Sequence, residues 1–187
     1  MSILKVNTIQ DKGGNTIISS DGSGTITPNG FGKIGQVVQT VKKDTFNTNS
    51  SSFTSITGLS VSITPSSTSS KILIKTLINY GGANNLYAHA RVYRDSTSIL
   101  VGDTGQPNQE RSSFALNMDN STAAIYKVHL GGIEFLDEPA STSSLTYSVH
   151  VITYGTDTIY INRPVNDEDL SRTGRYTSII TAMEVLA

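Results

Sequence analysis

The sequence predicts an all-β protein, an antiparallel jelly-roll-like β-sandwich with a short intertwining β extension at its N-terminus. Three observations predict it. Serine and threonine are abundant while glutamate is scarce and tryptophan is absent, which disfavours helices and favours strands and edges. About ten short apolar-alternating runs are separated by turn signals, the spacing of a sandwich. No run carries a sustained helical period.

The extension comes first, residues 1–32. Leu4, Val6 and Ile9, then Ile17 and Ile18, then Ile26 supply a little apolar surface between turns at Gly13-Gly14 and Asp21-Gly22. That is too little to fold alone, so these residues are read as burying themselves against another copy or another chain. Pro28-Asn29-Gly30-Phe31-Gly32 closes the segment as a hinge, and the head domain runs from 33 to 187.

In the head, 34–41 reads as the first strand and 44–52 as a loop or bulged connection. Strands over 53–64 and 71–80 follow, joined through the Pro65–Ser70 turn. The second has apolar residues on both faces, with Ile72, Ile74, Thr76, Ile78 and Tyr80 opposite Lys71, Leu73, Lys75, Leu77 and Asn79, which marks a central strand. Residues 87–94 alternate cleanly, with Ala88, Ala90 and Val92 on one face and Tyr87, His89, Arg91 and Tyr93 on the other. A partner strand is expected over 98–101. Residues 102–113 lack periodicity and read as an exposed loop before 114–118. Runs over 123–130, 133–136, 145–154, 158–161 and 177–186 complete the strands.

Composition excludes several functions. A net charge of -1, with 16% charged residues, gives no basic footprint for nucleic acid. The chain has no cysteine, hence no disulfide or thiolate chemistry. No apolar run approaches the ~20 residues of a membrane-spanning helix, so no membrane insertion is expected. Gly30-Phe31-Gly32-Lys33-Ile34-Gly35 matches a dinucleotide fingerprint in spacing only, because Val37-Val38 leads on as a strand rather than a helix. His89, His129 and His150 are expected opposite the more apolar face of their strands, as surface or subunit-facing residues. Asp137-Glu138 and Asp167-Glu168-Asp169 lack the spacing of a calcium loop and read as solvated charge. No catalytic residue, metal site or cofactor is assigned.

Two stretches carry a resemblance. Leu4-Lys5-Val6-Asn7-Thr8-Ile9-Gln10-Asp11, with Gly14-Asn15 and Ser20-Asp21-Gly22-Ser23-Gly24, resembles the start of many virion appendage proteins of tailed phages, especially those of marine bacteria. Gly35-Gln36-Val37-Val38-Gln39-Thr40 and the run Ile63 to Ile74 resemble tail-fibre modules. The resemblance covers residues 1–74. It implies a non-enzymatic tail-fibre component, a homotrimer attached to other virion proteins through its extension. Such a protein would be assembled in the host cytoplasm, be extracellular after lysis, and meet a host cell-surface glycan or outer-membrane component. A capsid decoration or cement protein, a tail-tip structural subunit and a glycan-degrading tailspike are the alternatives. The expected receptor-contact residues lie in loops: Asn84, Asn85 and Tyr87; Gln106, Asn108 and Arg111; and Asn166, Arg172, Arg175 and Tyr176. Expected trimer or attachment residues are Leu4, Val6, Ile9, Ile17, Ile18 and Ile26.

Overall fold

The computed structural model describes residues 6–20, 22–23, 26–28 and 33–186. The chain parts into two compact units, Met1–Lys33 and Ile34–Ala187.

The first unit is a three-stranded antiparallel meander of β1 (Thr8–Gln10), β2 (Thr16–Ser20) and β3 (Ile26–Pro28). Its first turn is fixed by Asp11, whose carboxylate accepts from Gly13 N at 2.8 Å and Asn15 N at 2.9 Å. Val6, Ile9 and Ile17 are exposed and Ile18 is half-buried. Leu4 and the residues 29–32 of the expected hinge lie outside the described residues, as does the Ile26 side chain.

The second unit has eleven strands: β4 (Lys33–Lys42), β5 (Phe46–Thr48), β6 (Thr54–Ile63), β7 (Lys71–Gly81), β8 (Ala88–Arg94), β9 (Thr97–Ile99), β10 (Phe114–Ala115), β11 (His129–Asp137), β12 (Leu145–Thr153), β13 (Ile159–Ile161) and β14 (Ser178–Leu186). One sheet orders its main strands β4-β14-β7-β11 and the other β6-β12-β8-β10. Counted along the chain, these eight are 1-8-3-6 and 2-7-4-5, the strand order of a jelly roll. Between the sheets lies one core, to which Ile72, Ile74 and Ile78 of β7 contribute opposite Val92, Tyr147, Val149 and Val151. β7 is paired on both edges, as its two apolar faces predict.

Local departures from ideal strands have visible causes. In β6 both Ile56 and Leu59 are buried, three residues apart, because a bulge interrupts the pairing with β12 between Ser148 and His150. Gly58, at φ +79°, supplies the left-handed residue that the bulge needs. The sequence reading placed a strand over 123–130. Instead Thr122–Tyr126 is a single 3-10 turn, capped by Ser121 Oγ accepting from Ala123 N, and β11 begins at His129. There His129 shares the parity of the core-packed Ile133 and Phe135, and its ring lies 5.9 Å from that of Tyr80. It therefore sits on the apolar side rather than opposite it. Within 44–52, read as a loop or bulged connection, β5 forms a ladder with β13.

Antiparallel alternation sends successive connections to opposite ends. Segments 49–53, 82–87, 116–128, 154–158 and 162–177 gather at one end, tied by Met118 N to Leu86 O, Tyr154 N to Tyr87 O, Thr153 N to Ser50 O and Asn166 N to Ile125 O.

Candidate binding groove

The site is built on a broken strand. β9 and β10 lie in line on one edge of β8, with Ile99 opposite Val92 and Phe114 opposite Ala90. The chain between them, residues 100–113, leaves the sheet and returns, and its base is closed by Gly102 N donating to Ser112 O at 3.1 Å. Gln109 N bonds Gln106 O and Gln106 N bonds Gln109 Oε1, both at 2.9 Å, fixing its tip.

Between this excursion and the outer face of β8 and β12 runs a groove of roughly 660 Å3. Tyr87, His89 and Tyr154 line it with rings, and Asp103, Asn108, Glu110 and Arg111 with polar groups, while Phe114, paired with the core-facing Ala90, packs its side chain against the core at the groove's base. The alternation of β8 turns His89 and Arg91 outward while Ala88, Ala90 and Val92 pack in the core. The His89 ring stands edge-on to Tyr154, centroids 5.3 Å apart, and its Nδ1 lies 3.0 Å from Ser112 Oγ. Arg91 fastens the excursion: its Nε donates to Arg111 O at 2.6 Å, it ion-pairs with Glu110, and its guanidinium lies 4.0 Å over the Phe53 ring. Farther along the same face Tyr93 stacks on His150 at 4.0 Å.

Burial holds the His89 imidazole below its ordinary range, against an opposing pull from Glu110. Burial also pushes the Tyr154 hydroxyl up, with Glu110 adding to it and Arg91 opposing. The groove thus sets aromatic rings beside the charged Asp103, Glu110 and Arg111, with Glu110 held from behind by Arg91. Such a surface suits a ligand with alternating apolar faces and hydroxyls: rings stack on the first, amides and charges bond the second.

Of the sequence-predicted contact residues, the fold gathers Tyr87, Asn108 and Arg111 in this groove. Gln106 is at the tip of the excursion, and Asn84 and Asn85 lie on the 82–87 turn beside Tyr87, with Asn85 at φ 62°. Asn166, Arg172, Arg175 and Tyr176 belong to the separate 162–177 segment. There Arg172 covers the Tyr126 ring at 4.4 Å and Arg175 pairs with Asp167 at 2.5 Å. A shallow recess lined by Asp167, Glu168, Asp169 and Arg175 marks that segment. His89, Arg91, Glu110 and Phe114 were not singled out as contact residues. The signal for the first two was present in the aromatic and charged outer face of β8. Among the described residues no three of His, Asp and Glu are grouped to hold a metal, and no helix is long and apolar enough to cross a membrane.

No family model matches the sequence, and no curated protein sequence does. Solved structures are similar at low identity. The structure of infectious bursal disease virus Gx strain aligns at 11% identity and a TM-score of 0.41, over 88% of this chain and 41% of that one. The infectious bursal virus derived T=1 particles give 11% and 0.42, over 88% and 40%. The T13 particle of the same virus gives 8% and 0.43, over 87% and 40%. The chain spans about two fifths of the length of each of these neighbours.

Proposed function

We propose that this chain is a structural virion protein, the adhesive component of a homotrimeric appendage of the tailed-phage kind that residues 1–74 resemble. The groove under the 100–113 excursion binds a host cell-surface glycan. The jelly roll holds the groove rigid, and residues 1–33 join the protein to its neighbours in the particle. No reaction is assigned to it. Weak contacts from each head add up across the copies in one particle.

The observation that carries this reading is the groove itself, in which three rings and a set of amide, carboxylate and guanidinium groups converge beside the loop-bearing end. Soluble protein added to cells before virions should block adsorption, and the Tyr154→Ala variant should block it at least tenfold less effectively. Undiminished adsorption under saturating wild-type protein would sink the adhesion reading and favour a capsid decoration protein, which has no receptor to occupy. Shortening of purified host polysaccharide by the protein alone would instead establish a tailspike.

A further inference from the structure

We infer that the outer face of the β4-β14-β7-β11 sheet is the surface through which one copy of this chain packs against the next. The inference names the contact behind the homotrimer proposed above, and its test reads that contact separately from adhesion.

The two sheets present very different outer faces. On the β6-β12-β8 sheet the outward positions mix Ser55, Ser60, Ser62, Thr146 and Arg91 with the rings of His89, Tyr93 and His150, and no leucine, isoleucine or valine there is exposed. The other sheet exposes such residues. Strand alternation turns Val37 and Val41 of β4 outward, then Ile179 and Met183 of β14, Leu73 and Leu77 of β7, and Leu130 and Leu136 of β11. The pairing aligns them into rows: Met183, Leu73 and Leu136 in one, Ile179 and Leu77 in another. Val37 is 56% exposed and Leu130 is 60% exposed, so no other described residue of the second unit covers them.

Shape and charge point to a like partner. Leu130 stands proud beside a depression of roughly 390 Å3 centred on Gly132, which is bordered by Leu77 and the Lys75 and Glu134 side chains. Gly132 keeps that depression open, since a Cβ there would fall 2.0 Å from Thr76 O. The knob and its socket are thus on the same face, so Leu130 of one copy can seat beside Gly132 of the next, which serves a two-fold pair or, passed head to tail, a closed three-fold ring. The only outward charges of β7 are Lys71 and Lys75, and they pair with Glu138 at 2.5 Å and Glu134 at 3.5 Å. Two basic and two acidic groups cancel, so a copy laid on the β7-β11 half of this face buries no net charge there, and an acidic or basic partner finds no field to match. Four strands at ~4.8 Å spacing and about eight residues at ~3.3 Å give a footprint near 500 Å2 before corrugation, above the per-partner area of most crystal contacts and approaching that of a standard interface.

The test is the mass of the full-length chain by native mass spectrometry and light scattering, for wild type and for the double variant Leu130→Lys/Leu136→Lys. Leu100→Lys, also at an exposed leucine but outside this sheet, is the control. The expected result is a wild-type and control dimer or trimer and a folded monomeric double variant with an unchanged circular dichroism spectrum. A trimer agrees with the proposed appendage; a dimer supports this surface and removes the trimer. A monomeric wild type, or a double variant that keeps the wild-type mass, overturns the inference. Hydroxyl-radical footprinting of the wild type gives a reading that no variant can spoil: Leu130, Leu136 and Met183 should be labelled at least fivefold less than their exposure in one chain allows, and full labelling overturns the inference.

Discussion

The phenolic hydroxyl of Tyr147 donates to Asp137 Oδ2 at 2.7 Å, joining the middle of one sheet to the end of a strand in the other. Arg94 Nη1 meets both oxygens of the same carboxylate, at 2.9 and 2.7 Å. Three residues from β8, β11 and β12 thus close one end of the core with charge-assisted bonds. Burial, reinforced by Asp137, pushes the Tyr147 hydroxyl well above the ordinary tyrosine range. It stays a donor throughout the working pH range.

Replacing Tyr147 with phenylalanine keeps the ring and removes that donor. A hydrogen bond to a carboxylate in this setting is worth about 2 kcal/mol, or a fall in Tm on the order of 5 °C for a chain of this length. Thermal denaturation followed by circular dichroism measures it, and an unchanged Tm would show that solvent replaces the bond.

Acid should weaken the fold through Glu184. Its carboxylate is buried, which alone would raise its pKa, but Ser66 Oγ at 2.7 Å, Gln36 Nε2 at 2.9 Å and Ser66 N at 2.6 Å outweigh burial and hold it at about 2. Its pKa is lowered on folding, so the stabilisation is complete above the ordinary glutamate value of 4.5 and is lost as pH falls from there towards 2. The loss is on the order of 1–2 kcal/mol after solvent screening. Urea midpoints at pH 7 and pH 3 should differ less in Glu184→Gln than in wild type, because the variant has no proton to take up there.

Asn162 is a structural keystone that no motif announced. Fully buried and at φ 66°, it donates to Lys42 O and Asp44 O, both at 2.9 Å, and accepts from Ser178 Oγ at 2.6 Å. It thereby bridges the break between β4 and β5 to the break between β13 and β14. Asn162→Ala strands both carbonyls and sets alanine, which tolerates the left-handed region less well than asparagine, at φ 66°, at a cost of roughly 2–4 kcal/mol. Chemical denaturation should register it as a lower midpoint with the slope preserved.

Burial lowers the pKa of both His89 and His150, with smaller opposing contributions from Glu110 and from a backbone hydrogen bond at Phe53. Both rings should therefore titrate below the ordinary value of 6.5. Stability is complete above that value and declines as pH falls below it, because the unfolded chain takes up these protons first. Ring-proton chemical shifts over pH 4 to 8 test this; a midpoint above 6.5 for either ring refutes the burial argument for that ring.

How much of this was legible beforehand varies with the range of the interaction. The paired alternation of β7 and β8 is local, so their faces and the central place of β7 followed from residues two apart. The bulge at Gly58 and the 3-10 turn at 122–126 depend on partners far away in sequence, and the first is visible only as a phase slip between Ile56 and Leu59. For the groove, unpatterned residues 102–113 marked the excursion, and Tyr87, Asn108 and Arg111 were named from its neighbourhood. His89 joins them only because β9 and β10 fall in line on β8, a pairing that composition does not encode, whereas Glu110 lies inside the marked stretch itself. Glu184 and Asn162 gave no local signal, since what makes them matter is three hydrogen bonds each to segments far off along the chain.

The division of one edge strand into β9 and β10 makes the 100–113 segment a replaceable cassette. Both fragments are registered on β8 by their own ladders, and the Gly102–Ser112 closure insulates those ladders from whatever lies between. Lengthening a closed loop costs only about 0.6 kcal/mol per doubling. Residues lining the groove can thus be exchanged, inserted or deleted while the two sheets keep their register, so the groove surface can diversify on a scaffold that does not have to refold.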